Sequence, residues 1–138
     1  MEVVLHLPVV PNVELVAAKA VETLGGALGM EQSHVEAASV AMVEACLNAM
    51  EHGGGPVTVR LRGEDSGSGA SLVIEVEDQG DGFDPTTAPR NSSAKVLGNV
   101  SKRGWGLTLI RELMDEVQIQ SEPGRTLVSM RKYVESAP

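Results

Sequence analysis

The sequence predicts an α+β fold: two central helices laid on one face of a mixed, mostly antiparallel sheet, giving a two-layer α/β sandwich. Three observations carry that expectation. Apolar residues alternate with polar ones in Val3, Leu5 and Leu7, in Val57, Val59 and Leu61, and in Leu72, Ile74 and Val76, the period of half-buried strands. Between the first and second of these strands, two segments repeat apolar residues every three or four positions. One contains Val13, Val16, Ala17, Ala20, Val21 and Leu24, the other Val35, Ala38, Met42, Ala45 and Ala49, so each presents one helical face to a core. The third observation is a closing pair of runs, Val117–Gln120 and Thr126–Met130, around Glu122-Pro123-Gly124, which reads as a hairpin.

Taken in order, Val3–Leu7 is a short strand whose following Pro8 favours a sheet edge, with His6 on its outward side. Asn12 is placed to cap the first helix, which should end near Gly25-Gly26 or a turn later near Gly29. Ser33-His34-Val35-Glu36 matches a capping box and opens a second helix from about His34 to His52, stopped by Gly53-Gly54-Gly55-Pro56. Two strands joined by a Gly/Ser/Asp loop follow, and the second runs directly into Asp78-Gln79-Gly80-Asp81-Gly82-Phe83. Residues 84–103 are rich in Pro, Asn and Ser with weak periodicity, and a stretch of that length inside a compact domain is usually a functional, mobile lid. Gly104-Trp105-Gly106 opens a further helix carrying Leu107, Ile110, Leu113 and Met114 on one face.

Composition narrows the function classes. The 138 residues suit a single domain over 1–138 with a real core. Nineteen acidic against 11 basic residues leave a net charge of −8, which disfavours direct nucleic acid binding and attraction to an anionic membrane and favours a basic partner. Only one Phe, one Trp and one Tyr are present, too few for base-stacking platforms. Cys46 is the sole cysteine, so no internal disulfide is expected, and its place within a helix reads as a small buried hydrophobe in a reducing cytoplasm. Neither a signal peptide nor a membrane span is expected from the apolar runs. No internal repeat is visible, and His6, His34 and His52 have no zinc-ligand spacing.

The chemistry concentrates in three places. Glu44, Asn48 and His52 recur every fourth residue, on one side of the second helix, amid Ala37, Val40, Ala41 and Leu47. A carboxylate and an amide in such surroundings need a partner, which is either a ligand or metal or else a structural hydrogen-bond pair. His52, at the helix end, reads more simply as a cation complementing the dipole. Asp78-x-Gly80-x-Gly82 places a carboxylate and two glycines where a strand leaves the sheet, and Arg103-Gly104-Trp105-Gly106-Leu107 places glycines at a helix start, where free N–H groups attract phosphate. Each glycine pair alone is more often a tight turn; the order and spacing of all three is far more specific.

That combination resembles the GHKL, or Bergerat-fold, ATP-binding superfamily, and within it the bacterial anti-sigma-factor serine/threonine kinases. The likeness runs through Glu44-xxx-Asn48-Ala49-xx-His52-Gly53, Asp78-x-Gly80-x-Gly82, Gly104-x-Gly106-Leu107 and Leu113-Met114-Asp115-Glu116-Val117. The resemblance implies ATP or ADP with Mg²⁺ as cofactors, Asn48 as the magnesium ligand and Glu44 as the general base. Asp78 would accept from the adenine amine, with Gly80 and Gly82 making room beside the base and Thr126 assisting at its edge. Gly104, Gly106 and Leu107 would lie at the phosphates, with Arg103 near the γ-phosphate; Trp105, bulkier than the pattern leads one to expect, would lie beside them. Lys95 and Lys102 read as solvated lid residues. The implied function is phosphorylation of a small antagonist protein and sequestration of a sigma factor, with homodimerisation as a family expectation. A non-catalytic nucleotide-binding switch of the same fold, controlling a phosphatase or another partner, is the alternative.

Overall fold

The computed structural model describes residues 1–53, 55–67, 69–79 and 107–136. Its elements are β1 (Glu2–Leu7), α1 (Glu14–Ala27), α2 (Gln32–Gly53), β2 (Val57–Ser66), β3 (Gly69–Asp78), a helical segment α3 over 107–113, β4 (Glu116–Glu122) and β5 (Arg125–Tyr133). The sheet has the order β1-β2-β3-β5-β4, and every pairing among the described residues is antiparallel. β1 is an edge strand, as Pro8 indicated. β5, although last in the chain, is inserted between β3 and β4.

The two faces of the sheet are chemically distinct because side chains alternate along each strand. Val57, Val59 and Leu61 of β2, Leu72, Ile74 and Val76 of β3, and Val128 and Met130 of β5 are buried on the face that carries the helices. Ala17, Val21 and Leu24 of α1, Val35, Ala38, Met42 and Ala45 of α2, Ile110 of α3 and Met114 just after it close that core. The opposite face carries arginine and glutamate in rows. Arg62 Nε donates to Glu64 Oε2 at 2.8 Å, and Arg131 Nη1 donates to Glu64 Oε1 at 3.0 Å and to Ser71 Oγ at 2.7 Å. The Arg62 bond first, with Arg131 adding to it, holds the Glu64 carboxyl below its ordinary range.

Local signals decide where the helices stop. α1 ends in a Schellman arrangement: Gly29 takes φ 74°, Met30 N–H donates to the Gly25 carbonyl at 3.0 Å and Gly29 N–H to that of Gly26 at 3.1 Å. A left-handed residue is needed there, and glycine supplies it without a Cβ penalty. Pro123-Gly124, with Gly124 at φ 85°, makes the β4–β5 turn by the same means.

Three local expectations are corrected. Asn12 does not cap α1; it adopts φ 66°, the position before the helix falls to Val13, and no side-chain cap bond is made there. Asn tolerates the left-handed region as well as the cap, and here the turn takes it. α2 begins at Gln32, so Ser33 lies inside its first turn, while the Glu31 carbonyl accepts from the N–H of His34 and Val35. The loop expected between β2 and β3 is instead largely strand, since Gly63, Glu64, Asp65 and Ser66 pair in register with Leu72, Ser71, Ala70 and Gly69. Pairing with a neighbouring strand overrode weak local β-propensity.

The start of α2 is tied to the far end of the chain. Glu31 N–H donates to the Val134 carbonyl at 3.1 Å, and Val134 N–H donates to that of Ala70 at 2.9 Å. His34 Nδ1 lies 2.7 Å from the Tyr133 carbonyl, which only accepts, so this nitrogen carries the proton.

Two outcomes follow. Ile74→Ala, at a fully buried position, should lower unfolding free energy by about 2–5 kcal/mol in urea titrations. Burial pushes the Cys46 thiol up to about 12, so it should ignore a disulfide thiol reagent at pH 8 in the folded protein and react at once in urea.

Candidate functional site

The site is built where α2 crosses the end of β3. α2 turns Ala45 and Ala49 to the sheet, and such small side chains bring the helix axis close to the strand. Asn48 comes down between them and is only 7% exposed. Asp78, the last residue of β3, is 3% exposed, and Thr126, its direct partner across the β3–β5 pair, is also 3% exposed. The Thr126 hydroxyl lies 3.2 Å from that of Ser121, its partner on β4.

Asn48, Asp78, Thr126 and Leu107 line one pocket with Ala45, Ala49, Val76 and Val128. Four of the residues expected at a ligand, from four different elements, are thus brought together. The space they enclose is about 20 Å³, room for about one water molecule, so these residues make the floor of a site rather than a whole purine pocket. Glu44 does not line this pocket; it stands one helical turn before Asn48 on α2, about 6 Å along the axis, and is partly exposed. His52 lies in the last turn of α2 and does not line this pocket. Gly80, Gly82, Arg103, Gly104, Trp105, Gly106 and the lid expected over 84–103 fall outside the described residues.

Asn48 carries the clearest signal of a missing partner. Both its Nδ2 and its Oδ1 are buried and have no hydrogen-bond partner among the described residues. A buried amide left unmatched costs roughly 1–3 kcal/mol, so native structures seldom keep one without a use for it. An amide oxygen is a hard ligand of the kind Mg²⁺ accepts, and Mg²⁺ takes few protein ligands when phosphates and waters supply the others. The donor set therefore fits a magnesium–phosphate group, while no cluster of three His, Cys, Asp or Glu exists among the described residues to hold a metal unaided.

Gly53 is a contributor that the sequence presents as a helix stop and as the last residue of the Glu44–Gly53 motif, with no task of its own. A Cβ placed there would lie 2.7 Å from both Cγ and Oδ1 of Asp78, so the end of α2 rests directly on the carboxylate and only glycine permits it. The sequence signal was present in the Gly53-Gly54-Gly55 run, but nothing in it shows which glycine meets Asp78.

A one-sided antiparallel sheet with a helix-borne amide facing a strand-end carboxylate defines a two-layer domain of the GHKL type. The family model described as histidine kinase-like ATPase domain matches residues 10–132. The chain belongs to that family. It is 30% identical over 139 residues to the serine-protein kinase RsbW of Bacillus velezensis, covering 94% of this chain and 84% of the relative. It is 30% identical over 99 residues to the anti-sigma F factor of Caldanaerobacter subterraneus subsp. tengcongensis, covering 71% of this chain and 66% of the relative. The RsbU and RsbW domains of Rv1364c from Mycobacterium tuberculosis share the fold with a TM-score of 0.69 at 17% identity, over 99% of this chain and 33% of that one.

ATP binding, which membership of the family implies, should therefore depend on Gly53. Gly53→Ala should displace the Asp78 carboxylate and weaken ATP affinity at least about tenfold by calorimetry, a loss of roughly 1.4 kcal/mol, while cooperative thermal unfolding persists.

Proposed function

We propose that this chain is an ATP-dependent serine/threonine protein kinase that acts as an anti-sigma factor, phosphorylating a small antagonist protein and sequestering a sigma factor. The observation that carries the reading is the orphaned, buried Asn48 amide facing Asp78 across one pocket, in a chain whose relatives are named serine-protein kinase and anti-sigma F factor.

Each residue then has a distinct task. Asp78, an acceptor-only carboxylate when ionised, takes a hydrogen bond from the adenine exocyclic amine and so selects that base, with Thr126 beside it. Asn48 Oδ1 would hold Mg²⁺, which when bound neutralises charge on the phosphates. Glu44, one turn earlier on the same helix, accepts the proton of the substrate serine hydroxyl as the terminal phosphoryl group moves to its oxygen. Gly80 and Gly82 beside the base, and Arg103, Gly104, Trp105, Gly106 and Leu107 at the phosphates, complete the proposal from their place in the sequence.

Partner choice belongs to the same reading. The net charge of −8 suits a basic surface on the sigma factor or the antagonist. For the homodimer, the proposed contact is the apolar groove of about 630 Å³ between β1 and α1, lined by Met1, Val3, Leu5, Leu15, Val16 and Leu24. It adjoins the free edge of β1, and Leu15 and Val16 are more than half exposed on the isolated chain. No helix among the described residues is long and apolar enough to cross a membrane, and a cytoplasmic place is proposed for the protein.

Glu44→Ala should lower the rate of phosphoserine formation on the cognate antagonist by about 10²–10⁴-fold while leaving ATP affinity within about twofold. Transfer at the wild-type rate would overturn Glu44 as the base; loss of transfer by the wild-type protein itself, with ATP still bound, would favour the non-catalytic switch. Leu15→Glu should convert any dimer seen by sedimentation into monomer.

A further inference from the structure

Behind the pocket, on the face of the sheet turned away from the helices, stands a second group of charges that the proposed chemistry leaves unused. Glu77 precedes Asp78 on β3, so its side chain leaves the strand on the opposite face. It is 7% exposed, unusual for a carboxylate on a sheet face that none of the described helices covers. Two guanidinium groups cover it. Arg60 Nη2 of β2 donates to Oε1 at 3.0 Å, and Arg125 Nε of β5 donates to Oε2. The bond to Arg125, with Arg60 adding to it, holds the Glu77 carboxyl below its ordinary range.

The register shows what this triad braces. Glu77 sits between Thr58 and Leu127, and one residue on, Asp78 sits between Val57 and Thr126. Arg125 directly precedes Thr126 as Glu77 directly precedes Asp78. The same bond that joins the two side chains on the far face therefore ties together the two backbone segments whose next side chains line the pocket. Arg60 extends the tie to a third strand. All three strands are held together close to Asp78, the last residue of β3.

We infer that Glu77, clamped by Arg60 and Arg125, is a positioning residue that fixes the Asp78 carboxylate and the Thr126 hydroxyl for reading the nucleotide base. The inference rests on the proposed nucleotide site, since its effect is on how sharply that site tells adenine from other bases. Glu77 touches no ligand itself. Both arginines are more than one-third exposed at their side chains, so loss of the carboxylate leaves two solvated cations rather than buried ones, and the disturbance stays local.

The test is calorimetry of the full chain with Mg-ADP and Mg-GDP on the wild type, Asp78→Asn, Glu77→Gln, Arg125→Gln and the Glu77→Gln/Arg125→Gln double variant. Glu77→Gln should weaken ADP binding about tenfold and narrow the ADP-to-GDP preference, with an unchanged circular dichroism spectrum. The double variant should lose little more than either single one, because both remove the same tie. A change in base preference is the readout that simple loss of stability would not move. Wild-type ADP affinity and base preference in both single variants, alongside lost binding in Asp78→Asn, would overturn the clamp and leave the nucleotide site standing. Absence of ADP binding by the wild type would overturn the nucleotide site and the clamp with it. Should Glu77→Gln fail to fold, Arg125→Gln, altered at the exposed end of the same bond, decides the matter on the same two readouts.

Discussion

The approach of α2 to the end of β3 is the constraint on which the rest of the structure depends. It brings a buried amide, a buried carboxylate and a glycine close together, and the carboxylate keeps its place only because Gly53 has no Cβ. Ala45 and Ala49 let the helix lie low on the sheet, and Gly53 lets its last turn rest against Asp78. A side chain at Gly53 would meet the Asp78 carboxylate and push the end of the helix from the strand. The polar groups are expensive to bury, and apolar residues of the same shape would have stabilised the fold more simply. That they are kept, with the Asn48 amide unmatched among the described residues, is why the arrangement reads as a ligand site and not as an ordinary core.

The sheet performs two separate jobs on its two faces. The helix-covered face supplies the buried aliphatic surface that drives folding. The other face uses charge for register: Glu64 joins Arg62 and Arg131 across β2 and β5, Glu77 joins Arg60 and Arg125 across the same strands, and Glu116 and Glu122 reach Arg131 and Arg125 from β4. Pairs this exposed contribute little stability individually. Their geometric effect is larger, because the Arg60, Arg125 and Arg131 pairs join neighbouring or next-neighbouring strands, and a one-residue slip would turn these charges onto the face that packs against the helices.

Much of this was legible in the sequence, because the burial periods are strong. Val57, Val59, Leu61 and Leu72, Ile74, Val76 declared both strands and the face they bury, and Pro123-Gly124 declared the last turn. Asn48 and Asp78 stood out by their order and spacing, Thr126 and Leu107 were expected through the family resemblance, and the fold brings these four residues together at one pocket. What failed was local chemistry with two good outcomes: Asn12 suits a cap and a left-handed turn equally, and Ser33 lies two residues after the Glu31 whose carbonyl opens the helix. The strand extension through residues 63–66 was hidden because Gly, Glu, Asp and Ser have weak β-propensity and only the partner strand holds them. Gly53 against Asp78 and the paired arginines on Glu77 were invisible for a different reason: both are contacts between residues far apart in sequence, and no alternation or spacing announces them.

The position of β5 has a consequence for how the molecule comes into being. Translation delivers this strand after every other described element, yet it occupies the interior of the sheet and brings both Thr126 and Arg125. Until it inserts, β3 has an open edge and β4 has no neighbour among the described strands, so the apolar face of the β1-β2-β3 unit lacks Val128 and Met130. The residue-31 to residue-134 bond at the start of α2 waits on the same event. Such long-range closure is slow relative to helix and hairpin formation and leaves a sticky edge exposed meanwhile. A chain that stops short of β5 therefore lacks Thr126 and Val128 of the pocket and Met130 of the core, and leaves β3 and β4 without the strand that joins them.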